Sequence, residues 1–341
     1  MIVIIIAGGS GTRLWPLSTP DYPKHLLRVN GDDRSLLQNT YDRARQVADA
    51  VYVVSEASHI EHVKKQLPEL PPDAFIVEPA RRGTANCIAL ALAYVGKRHN
   101  ADEPIAAIHA DHYVRDTAGF QHSFKIAADT TAREKRLVLV GVEPDYPATG
   151  FGYIQKGALL GQDAFVFNVH SFKEKPDAAT AQSYVQSGNY LWNCGYFVAS
   201  LNTFKREMDA AAPALHDVYE KLVQAGEDEI GQLYVSLKSE AIDYALIEKV
   251  EDLLVVPASF DWMDVGTFAD LYKAAPHDGQ GNYHSGRTEL EQVTNSFVQN
   301  VEEKPVVVIG FDNIVVVNTP AGILVAPKDL SSKAGDISKR L

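Results

Sequence analysis

The 341-residue chain has only two cysteines, Cys87 and Cys194. They offer no disulfide framework and no C-x-x-C metal pair, which suits a reducing cytosol. No run of about 18 apolar residues occurs, the length needed to cross a bilayer. The opening "MIVIIIAGG" is too short to span one and carries neither a basic n-region nor a cleavage site. A cytoplasmic protein with no membrane partner is therefore expected. A surplus of positive charge is also missing: 32 Lys and Arg against 44 Asp and Glu leave a net charge of −12. That argues against nucleic acid as a partner, yet small phosphorylated ligands need only a local cluster of Arg and Lys.

Three common phosphate or nucleophile motifs are absent too. The P-loop G-x-x-x-x-G-K-[ST] has no match, since the Gly96–Lys97 pair is followed by Arg98. The dinucleotide fingerprint G-x-G-x-x-G starts at Gly9 and fails at Leu14, which weakens an NAD-dependent oxidoreductase reading. The nucleophile elbow G-x-S-x-G fails at Thr12.

What is present is alternation. Apolar, β-branched runs at Ile2–Ala7, Ala50–Ser55, Phe75–Pro79, Pro104–Asp111 and Leu137–Val142 read as strands. Helical patterns at Leu36–Val47, Thr84–Lys97 and Gly119–Ala132 lie between them. Such alternation predicts an α/β fold, with a mainly parallel Rossmann-like sheet flanked by helices and ligands beyond the carboxyl ends of the strands.

After about residue 150 the pattern loosens into a mixed α+β region, with strands in "FVFNVHSFKEKP", "LWNCGYFVAS" and "LLVVPASFDW". Helices are expected at Ala178–Ser187, Asn202–Ala211 and Tyr244–Val250. From Gly279 to Asn300 polar residues and glycine dominate and suggest a boundary. The apolar stretches "PVVVIGF", "NIVVVNT" and "GILVAPK" follow it. Two domains are expected: residues 1–278, and a small C-terminal β unit over 279–341.

The stretch "AGGSGTRLWPLSTPDYPKHLL" follows the first strand. Its glycine turn can aim backbone N–H groups at an anion, and Arg13 and Lys24 add mobile positive charge. Gly8, Gly9, Gly11, Thr12, Arg13, Leu14, Pro16, Leu17, Ser18, Pro23 and Lys24 resemble the signature of the nucleotidyltransferases that join a nucleoside triphosphate to a sugar 1-phosphate. Further segments resemble that family in the same order: "HADH" (His109–His112), "FKEKP" (Phe172–Pro176), "LWNCGYF" (Leu191–Phe197) and "DWMDVGTF" (Asp261–Phe268). "EPARRGTA" (Glu78–Ala85) and "AIDYALIEK" (Ala241–Lys249) look most like members acting on GTP and mannose 1-phosphate. The chain departs from the family's habit at Thr19, His25, Gly83, Asn86 and His109.

The resemblance implies attack of a sugar phosphate oxygen on the α-phosphorus of GTP, giving GDP-mannose and pyrophosphate. It implies Arg13 and Lys24 as catalytic groups, and Gly8, Gly9, Gly11, Thr12, Glu78, Arg82 and Thr84 around the nucleotide. Gly152, Glu174, Lys175 and Asn193 would hold the sugar phosphate, and Asp111 and Asp264 would hold Mg²⁺. No Ser–His pair is required, because a phosphate monoester is already a competent nucleophile; the protein must position two anions and neutralise developing charge. A homodimer is also expected. Two other readings stay open: another hexose-1-phosphate nucleotidyltransferase using UTP, dTTP or ATP, and a regulatory paralogue without catalysis. The histidine pair of "HIEH" (His59–His62) has no third ligand nearby and reads as a solvated helix face. His109 and His112 read as shaping the loop around Asp111.

Overall fold

The first apolar run forms β1 (Ile2–Ala7), and all six of its residues are buried. In the computed structural model, which describes residues 1–9, 11–29, 31–161 and 165–340, it lies inside a nine-stranded sheet. The strands in chain order are β2 (Ala50–Glu56), β3 (Phe75–Glu78), β4 (Pro104–His109), β5 (His112–Tyr113), β6 (Val138–Val142), β7 (Tyr153–Leu159), β8 (Phe167–Lys173), β9 (Tyr190–Ser200), β10 (Leu254–Pro257) and β11 (Met263–Asp264). The sheet order is β3-β2-β1-β4-β9-β6-β10-β8-β7, and a further β7–β9 pairing closes the last five strands into a ring. β5 and β11 pair separately as a two-stranded ribbon.

The fold is α/β, but the sheet is mixed rather than mainly parallel. β3, β2, β1 and β4 are parallel, as their βαβ alternation predicts. β9 then runs antiparallel between β4 and β6. Composition cannot report this reversal, because a buried strand is apolar whichever way it runs. The reversal matters for the site. β9 pairs Ser200 with Pro104 and Phe197 with Ala107, so its amino-terminal half lies by the carboxyl ends of β1 and β4. A bulge follows: Tyr196 faces Val140 but Asn193 faces Gly141, and Gly195 between them takes a left-handed φ of 68°. Such a bulge re-aims the neighbouring side chain, here Asn193.

The polar stretch read as a boundary itself carries strands. β12 (Tyr283–Ser285), β13 (Thr288–Glu291) and β14 (Phe297–Asn300) precede β15 (Val306–Ile309), β16 (Ile314–Thr319) and β17 (Gly322–Pro327). Every second strand pairs in parallel, β12 with β14 with β16 and β13 with β15; β17 returns antiparallel to β16. Short strands joined by glycine corners at Gly286 and Gly310, both at positive φ, carry too little apolar sequence to stand out one at a time. This unit packs against turn and helix residues beside the large sheet. Phe297, Val315 and Val317 share a core with Leu14, Leu27 and Leu36 near the glycine turn and with Val265, Phe268 and Leu271.

The expected helix at Tyr244–Val250 is an α-turn at Ile242–Ala245 followed by a 3-10 turn at Ile247–Lys249. His59 is buried and its Nε2 lies 2.7 Å from the Pro20 carbonyl, so that half of the "HIEH" pair is not a solvated face. Among the described residues, no helix is long and apolar enough to cross a membrane.

Candidate active site

Two adjoining cavities open at the edge where β1, β4 and β9 meet. The first, about 280 Å³, is lined by Gly9, Gly11, Thr12, Arg13, Lys24, Asp111, Asp264 and Gly266. The chain leaves β1 through Gly8 and Gly9, and Ser10 lies outside the described residues. Gly11 has φ 56°, and a Cβ there would lie 2.5 Å from Lys24 Cβ and 2.9 Å from Lys24 N. Glycine is required on both counts, since only it combines this backbone with so close an approach. A 3-10 turn, Thr12–Leu14, follows, and the Ser18 hydroxyl ties it back by donating to the Gly11 carbonyl. Leu14 is fully buried, while Arg13 next to it is exposed toward the cavity.

Lys24 crosses this cavity. Its side chain is buried at 6% exposure, and Nζ lies 2.8 Å from Asp111 Oδ2 and 2.8 Å from Asp264 Oδ1. Asp111 follows β4, and Asp264 ends β11; antiparallel pairing of β11 with β5 sets Asp264 opposite His112 and so beside Asp111. Residues 153 positions apart in sequence are thereby joined by one two-residue ribbon. Burial alone would lower the Lys24 pKa, but the two carboxylates outweigh it and raise it. Burial would likewise raise both aspartates, and the Lys24 charge instead holds Asp111 and Asp264 below the ordinary carboxylate range. All three groups are charged at neutral pH, with two negative charges around one positive.

The second cavity, about 130 Å³, shares Asp264 with the first and is lined also by His109, His112, Gly150, Phe151, Gly152, Glu174, Asn193, Cys194, Gly195, Asp243 and Trp262. Glu174 is buried at 9% exposure; Oε1 pairs with Lys175 Nζ at 3.1 Å, while Oε2 is buried with no hydrogen-bond partner among the described residues. A Cβ on Gly152 would collide with that same Oε2, so glycine here makes room for the carboxylate. Asn193 is held at both ends of its amide: Nδ2 donates to Asp243 Oδ1 at 2.7 Å, and Oδ1 accepts from Gly195 N at 3.0 Å. Burial pushes the pKa of Glu174 up, with Asp243 adding to it, and burial likewise raises Asp243.

Aromatic rings close this cavity. Phe151 meets Trp192 and Trp262 edge-on at 5.2 and 5.3 Å. Trp262 Nε1 donates to His112 Nδ1 at 3.1 Å, and the Tyr196 hydroxyl lies 3.0 Å from that nitrogen. An indole N–H can only donate, so Nδ1 accepts and the His112 proton sits on Nε2. Burial lowers the His112 pKa to about 3, so it is a neutral strut of the loop around Asp111.

The other nucleotide candidates lie elsewhere. Glu78 is buried, accepting from the Tyr234 hydroxyl at 2.8 Å and from Arg82 N at 3.3 Å. The Arg82 guanidinium donates to the Val235 carbonyl, and Thr84 Oγ1 accepts from Ile242 N at 2.9 Å. These three residues line neither cavity; they fasten the loop after β3 to residues 234–242 and so hold the start of the short helix Ile242–Ala245 that carries Asp243. Gly83, at φ 80°, packs against the Glu240 backbone, where any side chain would clash. Asp243, Phe151 and Trp262 carry no site expectation from sequence. An aspartate at a helix start reads as a cap, and aromatics read as core.

His25, beside Lys24, is buried with neither ring nitrogen bonded to a described residue. Burial, reinforced by His59 and Lys24, lowers its pKa from 6.5 to about 4. The unfolded chain therefore binds a proton between these values that the folded chain does not, and stability is lost as the pH falls through that window. His25→Gln is expected to remove about 3 kcal/mol of that acid loss while leaving stability at pH 7.5 nearly unchanged, measured by urea unfolding between pH 4 and 7.5. An unchanged slope would show that His25 is not the group responsible.

Comparisons with known proteins agree on one family. A family model described as nucleotidyl transferase matches residues 2–281. The chain is 36% identical to the xanthan biosynthesis protein XanB of Xanthomonas campestris pv. campestris (strain B100), covering 100% of this chain and 73% of that protein. It is 35% identical to the mannose-1-phosphate guanylyltransferase of Escherichia coli (strain K12), covering 96% and 70%. Its structure is similar to the crystal structure of mannose-1-phosphate geranyltransferase from Thermus thermophilus, with a TM-score of 0.88 and 28% identity over 99% of this chain and 98% of that one.

Proposed function

The chain belongs to the nucleotidyl transferase family, and from that premise we propose that it transfers GMP from GTP to mannose 1-phosphate, releasing pyrophosphate. The observation that carries the reading is the pair of cavities sharing Asp264. One is floored by a glycine turn with Arg13 and Lys24, the other carries unspent hydrogen-bonding capacity on Glu174. An anion grip beside a carboxylate-lined pocket suits a nucleoside triphosphate beside a sugar phosphate.

An oxygen of the sugar phosphate forms a bond to the α-phosphorus as the bond to the bridging β-phosphate oxygen breaks, and pyrophosphate leaves with that electron pair. The turn N–H groups and Arg13 hold the triphosphate tail, where the guanidinium fork can bridge two phosphate oxygens of the leaving group. Lys24 exchanges its carboxylate partners for α-phosphate oxygens and neutralises charge as it develops. Glu174 accepts from sugar hydroxyls, Asn193 offers its remaining N–H, Asp243 keeps that amide oriented, and Lys175 contacts the sugar phosphate.

The residues fit a divalent cation. Two hard carboxylate oxygens already converge on one positive charge, and Mg²⁺ takes few carboxylates, leaving places for phosphate oxygens and water. Asp111 and Asp264 would hold it, and it would supply neutralisation of the triphosphate charge. Glu78, Arg82 and Thr84 brace the segment that leads into Asp243, and so act on the sugar side through it. The reading also takes the enzyme to be a cytoplasmic homodimer.

The test is pyrophosphate release with Mg²⁺ and mannose 1-phosphate, with GTP, ATP, UTP, CTP and dTTP assayed separately. Release with GTP alone is expected. Release with a different nucleotide alone would discard the guanine assignment, and release with none would discard the transfer reaction.

A further inference from the structure

The wall behind the glycine turn is built from residues more than three hundred positions further along. The helix Ala334–Ser338 lies against the Thr12–Leu14 turn, and buried Gly335 marks the contact. A Cβ on Gly335 would fall 3.0 Å from Arg13 Cα, 3.1 Å from Arg13 N and 3.2 Å from Arg13 Cγ. Those are backbone and stem atoms, so a side chain at Gly335 presses on Arg13 itself, and the contact must give by a few tenths of an ångström. At its other end the Arg13 guanidinium lies 3.3 Å from where a Cβ on Gly266 would stand, in the turn just after Asp264. Arg13 therefore sits in a slot with a glycine at each end.

The residues after Arg13 are tied to the same part of the chain. Thr319 Oγ1 donates to the Pro16 carbonyl at 3.1 Å, and a Cβ on Gly322, at φ 147°, would come 2.7 Å from the Trp15 ring. Thr319, Gly322 and Gly335 all lie beyond residue 281, where the family match ends.

We propose that Gly335 is a positioning residue for the phosphate grip: the C-terminal helix sets where the Arg13 guanidinium meets the triphosphate. The inference rests on the reading of Arg13 as a triphosphate ligand. Its physical basis is that bidentate charge-assisted bonds depend on direction as well as distance. A displacement of about 1 Å at a positioned group can cost up to about 10²-fold in rate.

The experiment uses the full chain with Gly335→Ala and Gly335→Val, each with Arg13 intact and with Arg13→Ala. Calorimetry reads the Kd for GTP and for inorganic tripolyphosphate, and steady-state kinetics read KM for mannose 1-phosphate. Both Kd values are expected to rise in the order Gly, Ala, Val, by about tenfold for Val, while KM for mannose 1-phosphate stays put. In the Arg13→Ala background the Gly335 substitutions are expected to add nothing, because neighbours acting through one group are not additive. Equal Kd values across the series overturn the proposal, as do effects that add in full to Arg13→Ala. Should Gly335→Val fail to fold, Gly335→Ala and Gly335→Ser decide on the same readings. A wild type that binds tripolyphosphate but releases no pyrophosphate from GTP sinks the proposed reaction and leaves the tripolyphosphate series to judge Gly335.

Discussion

Lys24→Met is expected to lower kcat for pyrophosphate release by about 10²–10³-fold, the cost of removing one charge-stabilising donor from a transition state. The same change leaves Asp111 and Asp264 facing each other without the ammonium that lies 2.8 Å from each. Breaking a buried pair in this way costs about 3–5 kcal/mol. The lower end applies here, because the two carboxylates are 24% and 27% exposed and water screens part of the repulsion. A divalent cation and the ammonium compete for the same oxygens, so Mg²⁺ should stabilise the variant more than the wild type. Thermal melting with and without Mg²⁺ reads the second effect and steady-state kinetics the first. Wild-type kcat in the variant would remove Lys24 from the chemistry, and equal Mg²⁺ responses would show that the two cations do not share a place.

Asp243→Ala should act on the other substrate. One hydrogen bond to a charged group contributes about 1.5–3 kcal/mol, so its loss should raise KM for mannose 1-phosphate by about 10–150-fold with little change for GTP. The effect passes through Asn193, whose Nδ2 is held by Asp243 at 2.7 Å and whose Oδ1 is held by Gly195 N. Without the carboxylate the amide loses one of its two restraints. Exchanging the pair, as Asn193→Asp with Asp243→Asn, restores a hydrogen bond between them but reverses what the cavity presents. Recovery of melting temperature without recovery of KM is the expected pattern. If the exchanged pair also recovers KM, Asp243 serves only to hold the fold together.

How much of this was readable in advance differs from residue to residue. β1 was readable to its ends, because a six-residue apolar run with five β-branched residues, closed by glycine, has few other conformations. The helix Ala178–Ser187 was equally plain, with an Asp177 cap whose side chain accepts from Thr180 N and a glycine at its end. The glycine turn after β1 could be read because its geometry is local: glycines at positive φ and one arginine lie within a few residues. The three short strands between Gly279 and Asn300 could not, since each is too brief for its own periodicity to rise above the polar residues around it, whereas the three apolar stretches after them were legible as a β unit. Glu78 and Thr84 carried the right residue types, but their partners, Tyr234 and Ile242, are more than 150 positions away.

The sequence by itself determined the α/β class, the run of parallel strands at the start, the glycine turn after β1 and the charged and polar residue types that the two cavities contain. Those follow from propensities and spacings that act over a few residues. Tertiary structure alone decided which of them meet. The reversal of β9 carries Asn193 to the carboxyl ends of β1 and β4. The β5–β11 ribbon joins Asp264 to Asp111, and Gly335 backs Arg13 from beyond the large sheet. Strand direction and long-range pairing leave no local trace in a buried apolar run, because either direction buries the same side chains.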